Sequence, residues 1–277
     1  MATLDASPQA GNPPTLPERP SGAARWAGTV IGLLIVLGLV IYGWINVGGS
    51  VRELVDGVFG PKGIFRSIVG PSLPPDSSAI GEGLKASVTT FCVAILSITF
   101  GVVWSVLMLP WAARNLTPNR LTYEVARGIQ AILRAIPELI MMLIFLITVG
   151  ITPFAAVVAL TFHGIGVKGK LFAEAVEEMD MAPVEALRVA GAGRIQVFLH
   201  AVLPGVRNTL LGLTLYRLDA NFRSAVTLGA VGGGGIGFLI DNQLNTFQFK
   251  VVATYLIIMV LWVLAIERVS EMLRARL

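Results

Sequence analysis

Two stretches of this chain run without a single charged residue for longer than a bilayer is thick: 26–51 and 86–113. One helix needs about 20 apolar residues to cross a hydrocarbon core of ~30 Å. Inside that core each backbone N–H and C=O must be satisfied within the spanning element, so runs this long and this apolar are helices. Only 14% of the 277 residues are charged, where a soluble domain carries roughly a quarter. The expectation is an all-α, polytopic membrane protein.

Residues 1–25 are rich in Pro, Ala and Gly and lack an apolar period, which predicts a disordered cytosolic tail ahead of a transmembrane domain over 26–277. The first apolar run is too long for a signal peptide and reads as a retained span. A polar linker follows, with a short interfacial helix expected at 51–59. Span two is expected at 86–113. The run 139–167 has no acid and no Lys or Arg, but Gly150-Ile151-Thr152-Pro153 breaks it and it is too short for two spans. Both helices must extend into charged flanks. Span three becomes 123–149, carrying Arg134 and Glu138, and span four becomes 153–176, carrying His163, Lys168 and Lys170. Span five is expected at 204–228 and span six at 247–267, which makes six transmembrane helices. With the N- and C-termini cytosolic, Arg114, Arg120, Arg188, Arg194, Arg268, Arg274 and Arg276 fall on the inner side. The single Cys92 lies in an apolar run and reads as a buried small hydrophobe.

Between spans four and five lies a polar stretch, 181–204, long enough for one short helix. Pro183 suits a first helical turn, where its missing N–H is no loss. Glu185 near the same end suits the helix dipole. Gly191 and Gly193 are expected to end the helix, so that it occupies about 181–193.

Glu185-Ala186-Leu187, three residues, Gly191, nine residues, then Ala201-x-Leu203-Pro204 resembles the coupling signature of ABC importer permeases, Glu-Ala-Ala-x3-Gly-x9-Ile-x-Leu-Pro. Leu187 and Ala201 depart from that pattern but keep its apolar character. The resemblance implies a type I ABC importer permease fold with a cytosolic coupling helix that docks on a partner ATPase. The plain alternative for this stretch is an ordinary amphipathic loop. From about residue 120 onward a narrower likeness appears. Arg134-Ala-Ile-Pro137-Glu138-Leu139, Gly169-Lys170-Leu-Phe-Ala-Glu174-Ala, and the run from Asn221-Phe-Arg223 to Gly232-Gly233-Gly234-Gly235-Ile-Gly237 resemble the phosphonate/phosphate importer permeases.

That family implies a bacterial inner-membrane homodimer, a cytosolic ABC ATPase dimer and an extracytoplasmic substrate-binding protein. No nucleic-acid partner is implied, and lipid surrounds the spans. The chain has no Gly-x4-Gly-Lys-Ser/Thr phosphate loop. The subunit is therefore expected to need no cofactor of its own, with ATP and Mg²⁺ bound by the ATPase, and to perform no chemistry. Two histidines and one cysteine give no zinc set.

Depth along a straight helix follows from 1.5 Å per residue. Arg217 lies about 20 Å above Pro204, near the midplane, and His163 about 15 Å from Pro153. Arg217 has no acid at i±4, whereas Asp219 and Arg223 are positioned to pair. Two readings of Arg217 stand: it lines the substrate pathway with Asn221 and Arg223, or it pairs with Glu138 or with the second subunit. Arg134, about 22 Å from Gly150, either shapes that pathway, pairs with Glu138, or snorkels to the cytosol. His163 either packs or meets substrate, and Lys168 and Lys170 are expected to meet water or lipid phosphate near the inner face. The glycines Gly232, Gly233, Gly234, Gly235 and Gly237 are either a gate at the outer end of span five or a flexible turn. A permease for methionine or an organic cation would share the architecture, and an intramembrane enzyme would need a nucleophile with its base, or paired Asp residues, at depth, where no Gly-x-Ser-x-Gly occurs and Asp219 is the only clear intramembrane Asp.

Overall fold

A computed structural model describes residues 22–48, 50–60 and 63–276, in two compact units divided after Ile64. In the first unit, α1 (Gly22–Asn46) is a span whose side chains from Trp26 to Tyr42 are all at the surface, as a helix ringed by lipid requires. It begins four residues before the expected Trp26. Residues 1–21 of the expected tail lie outside the described residues. α2 (Val51–Phe59) has the bounds expected of the interfacial helix, and the Ser50 side chain caps it by accepting from the Glu53 N–H at 3.2 Å.

The second unit opens with a π turn at Phe65–Val69 and a 3₁₀ turn at Ser77–Ala79. Then come α3 (Ile80–Ala112), α4 (Arg120–Ala135), α5 (Glu138–Val149) and α6 (Pro153–Glu177). The short α7 (Ala182–Val189) and α8 (Arg194–Val197) precede a π turn at Phe198–Val202 and α9 (Leu203–Leu228). A second π turn, Gly229–Gly233, leads into α10 (Gly235–Asn245), and α11 (Phe249–Arg274) follows. No strand occurs among the described residues. Four helices are long and apolar enough to cross a membrane, and the number rises to six if each of two bent helix pairs is one span.

The expected straight span three is not one helix. Proline at 137 lacks an N–H and disfavours helical backbone at Ile136, so α4 stops at Ala135 and α5 leaves at 89° to it. α4 is strongly amphipathic and α5 almost wholly apolar. The sequence reading also missed α10, which bends 57° away from the α9 segment.

α3 and α6 share the most extensive interface, and α9 packs on both. Glycines on α6 permit the close approach of α4: a Cβ at Gly166 would lie 2.5 Å from the Arg134 backbone N, and one at Gly169 would lie 2.6 Å from the Gln130 side chain. Of the three buried clusters among the described residues, two hold α3, α6 and α9 together. One, around Met142, Leu160, Phe222 and Leu228, is sealed by Trp262, whose ring sits 4.9 Å from Phe91 and 6.2 Å from Phe222. The other joins Leu109, Phe172, Val176 and Val206 to Val184 of α7. Cys92 is exposed rather than buried, because it lies on the side of α3 turned away from α6 and α9.

Candidate functional site

α7 is built by local rules. The Asp180 carboxylate accepts from the Ala182 N–H at 3.0 Å, Pro183 occupies the first turn, and Glu185 adds a negative charge there. The far end is closed by two reversed hydrogen bonds: the Gly191 N–H donates to the Arg188 carbonyl and the Ala192 N–H to the Leu187 carbonyl, both at 3.0 Å. This closure places Gly191 at φ +82°, a left-handed conformation that glycine adopts without steric cost. Gly193 does not help end α7, contrary to expectation. It is the N-cap of α8, where its N–H donates to the Gln196 side chain at 2.8 Å.

Val184 is fully buried, and Leu187, Ala192 and Leu203 pack against the same cluster. The opposite face offers Glu185, Ala186, Gly191 and Pro204 to the surface, together with Val189 at 90% exposure and Ile195 at 74%. α7 is thus anchored on one side and presents an unpaired apolar and acidic surface on the other. A latch that sequence reasoning missed holds its base. Glu177, at the end of α6, accepts from Arg127 of α4 at 2.9 Å and from the Arg114 backbone N–H at 2.8 Å. Asn115 adds bonds to the Val176 carbonyl at 2.8 Å and to the Met181 sulfur at 3.2 Å. The partners lie about 50 and 60 residues away in sequence, so no local pattern announces them.

The intramembrane charges separate clearly. Asp219 and Arg223 pair at 2.7 Å as expected from their spacing. Glu138 pairs with neither Arg134 nor Arg217; it accepts from the Ser224 hydroxyl at 2.6 Å. The bend at Pro137 is the reason for Arg134, since i and i+4 no longer share a helix face across it. Arg134 is exposed on α4, and the straight-helix depth count does not apply to it. The same break frees the Ile136 carbonyl, and the His163 Nδ1 lies 3.3 Å from it, which favours the packing reading of His163. Asn221 is buried and donates to the Ser97 hydroxyl at 3.2 Å. Arg217 is half-buried midway along α9, and its Nε has no hydrogen-bond partner among the described residues.

Lys170 reaches the surface and pairs with Glu174 at 3.5 Å. Lys168 does not meet water or lipid. It is 1% exposed, because it points into the α3–α6 interface rather than toward the membrane face, and its Nζ has no hydrogen-bond partner among the described residues.

The glycine run is neither loose nor a simple turn. Gly232 and Gly234 have φ of +111° and +70°. Added Cβ atoms would lie 3.2 Å from Ile151 and 3.1 Å from Pro153, at the start of α6. The Ile236 N–H donates to the Thr90 hydroxyl of α3 at 2.9 Å, and Ile236 is fully buried. Gly237 faces the Val226 carbonyl so closely that a side chain has no room. Gly233 and Gly235 complete a packed joint between α9 and α10.

Residues 101–277 match the family described as binding-protein-dependent transport system inner membrane component. A phosphite transport system permease protein of Stutzerimonas stutzeri is 40% identical over 208 residues, covering 75% of this chain and 76% of that protein. A phosphate-import permease protein of Mycolicibacterium smegmatis is 38% identical over 221 residues, covering 79% of this chain and 41% of that one. Among solved structures, an inward-facing form of the MetNI methionine ABC transporter superposes with a TM-score of 0.64 at 23% identity, covering 73% of this chain and 98% of the matched one.

Proposed function

The chain belongs to the family of binding-protein-dependent inner membrane transport components and is the permease subunit of an ABC importer, and from that premise we propose that its solute is a phosphorus oxyanion: phosphite, phosphate or a phosphonate. Its fold is that of the type I importer permeases. The observation that carries the solute reading is Arg217, a guanidinium midway along a spanning helix with no carboxylate partner among the described residues. A midplane arginine costs at least ~2.5–3.5 kcal/mol on insertion scales. Planar donors matched to phosphoryl-type oxygens offset that cost when an anion arrives. The names of the phosphite and phosphate relatives support the same class. The likeness to a methionine transporter, at 23% identity, bears on fold alone.

In this reading two copies of the chain form the path, and both termini face the cytosol. A cytosolic ATPase dimer binds ATP and Mg²⁺ and engages the outer face of α7, Glu185, Ala186 and Gly191 included. A substrate-binding protein delivers the anion from the other side. ATP-driven closure of the motor moves the two α7 segments, and hydrolysis resets them. Asn221, Arg223, Arg134, Glu138 and His163 shape the surroundings of Arg217, with Asn221, Arg223 and Glu138 held by the bonds described above. The joint at Gly232–Gly237 acts as the outer gate, where closely packed backbones reshape.

The test is uptake of the three oxyanions by proteoliposomes carrying the permease with its ATPase. Arg217→Gln loses a charge-assisted contact of about 1.5–3 kcal/mol, so KM rises about ten- to hundredfold. Unchanged KM in an assembled Arg217→Gln complex refutes the pathway role.

A further inference from the structure

Where α3, α6 and α9 meet, buried polar groups form a continuous seam. Ser97, Gly101 and Ser105 follow each other at four-residue steps on α3, and all three are buried. Asn221 of α9 bonds to the Ser97 hydroxyl, and the Thr161 hydroxyl of α6 lies 3.5 Å from the Ser97 carbonyl. One helical turn closer to α7 on α3 and α9, and about two on α6, lie Gly101, Arg217 and Lys168. The Lys168 ammonium lies in a slot that exists because positions 101 and 164 are glycines. A Cβ at Gly101 would be 2.6 Å from the Lys168 Nζ, and one at Gly164 would also collide with it. Beyond it along the seam, the Ser105 hydroxyl and both polar atoms of Gln130 are buried without hydrogen-bond partners among the described residues.

No acid answers Lys168. The charged group that acts on it is another cation, Arg217, on the helix that packs against both α3 and α6. Asp219 is engaged by Arg223, Glu138 by Ser224, Glu174 by Lys170 and Glu177 by Arg127. A membrane helix retains a buried, unpaired cation for function, since an apolar side chain of similar length removes the desolvation penalty. Here the fold also reserves two glycines to house it. We propose that Lys168 and Arg217 together form an intramembrane binding step for the transported phosphorus oxyanion. The inference rests on the oxyanion reading above and assigns the second ligand of that site. An anion with several terminal oxygens accepts from an ammonium and a guanidinium at once, the first a mobile point charge, the second a planar fork. The lysine stem has four rotatable methylene links, so the ammonium can move from its slot toward Arg217 and the anion.

The experiment compares Lys168→Met and Lys168→Gln with the wild-type permease–ATPase complex in proteoliposomes, with labelled phosphate, phosphite and methylphosphonate as solutes. Assembly is read from complex yield and melting temperature. The expected result for Lys168→Met is a melting temperature equal to or above wild type, with uptake at low solute lowered at least tenfold. A lysine with a purely structural role gives the reverse, lost stability with unchanged KM in whatever complex assembles. Lys168→Gln carries the same uptake test should the Met complex fail to assemble. Wild-type KM in either assembled variant overturns the binding step while leaving the oxyanion reading intact. A wild-type complex that imports none of the three anions removes that reading, and the binding step with it. A variant effect confined to vesicles containing phosphatidylglycerol, and absent in phosphatidylcholine, assigns the charge pair to a lipid headgroup and also overturns the proposal.

Discussion

Gly191 offers a perturbation whose effect within this subunit is conformational alone. Its φ is +82°, and a Cβ placed there meets nothing within 4 Å. Any side chain fits, so the cost comes from forcing an L-residue into the left-handed region, about 1–2 kcal/mol. Alanine at the lower end shifts the closed end of α7 about fivefold toward other conformations, and valine, β-branched, at least about thirtyfold. Asparagine tolerates this conformation and should cost least. The residue is exposed and a Cβ there reaches no neighbour, so insertion and global melting should change little. The assay is solute imported per ATP hydrolysed by the reconstituted complex. The expected order of coupling is wild type, Asn, Ala, Val. Glu185→Ala, on the same exposed face, should also lower coupling by removing a helix-start charge worth about 0.3–1 kcal/mol as well as a docking contact. Equal coupling across the Gly191 series would refute the reading of this cap as the part that fixes the ATPase-facing surface.

Two further changes test other parts of the fold. Gly237→Ala drives a Cβ onto the Val226 carbonyl and within 2.9 Å of the Ala230 N, with backbone on both sides and no flexible end to yield. The expected loss is at least about 1–3 kcal/mol, read as a lower melting temperature, whereas Gly212→Ala, where a Cβ meets nothing within 4 Å, should not destabilise. Glu177→Gln leaves the largely buried Arg127 without its carboxylate, at a cost of about 1–3 kcal/mol. Limited proteolysis should then cut faster in the 113–119 connection than in wild type.

What the sequence revealed was set by the range of the forces involved. α2, α6 and the start of α7 were readable because local composition decides them: a Ser50 cap, Pro153 after a glycine turn, Pro183 and Glu185 in a first turn. The Asp219–Arg223 pair was readable because four-residue spacing on one helix is local as well. The break between α4 and α5 was half-readable. Pro137 was visible, but joining the two segments into one span assumed a straight axis, and the depth count and the Glu138 pairing of Arg134 failed with that assumption. Lys168 was misplaced because depth was counted along α6 alone. Its slot depends on Gly101, 67 positions earlier on another helix, and no spacing rule connects them. α10 was hidden by the glycines before it, which read as flexibility until their packing against Thr90 and Pro153 was visible.

The Glu177 carboxylate changes how motion can travel. A helix joined to its neighbours only through apolar contacts can slide or roll with small loss. Glu177, four residues before Met181, instead ties the end of α6 to α4 through Arg127 and to the α3–α4 connection through the Arg114 N–H. Those bonds remove the degrees of freedom by which α6 could turn independently. A load applied at α7 therefore meets a stiff three-way joint, and is shared among α3, α4 and α6 rather than spent in bending any one of them.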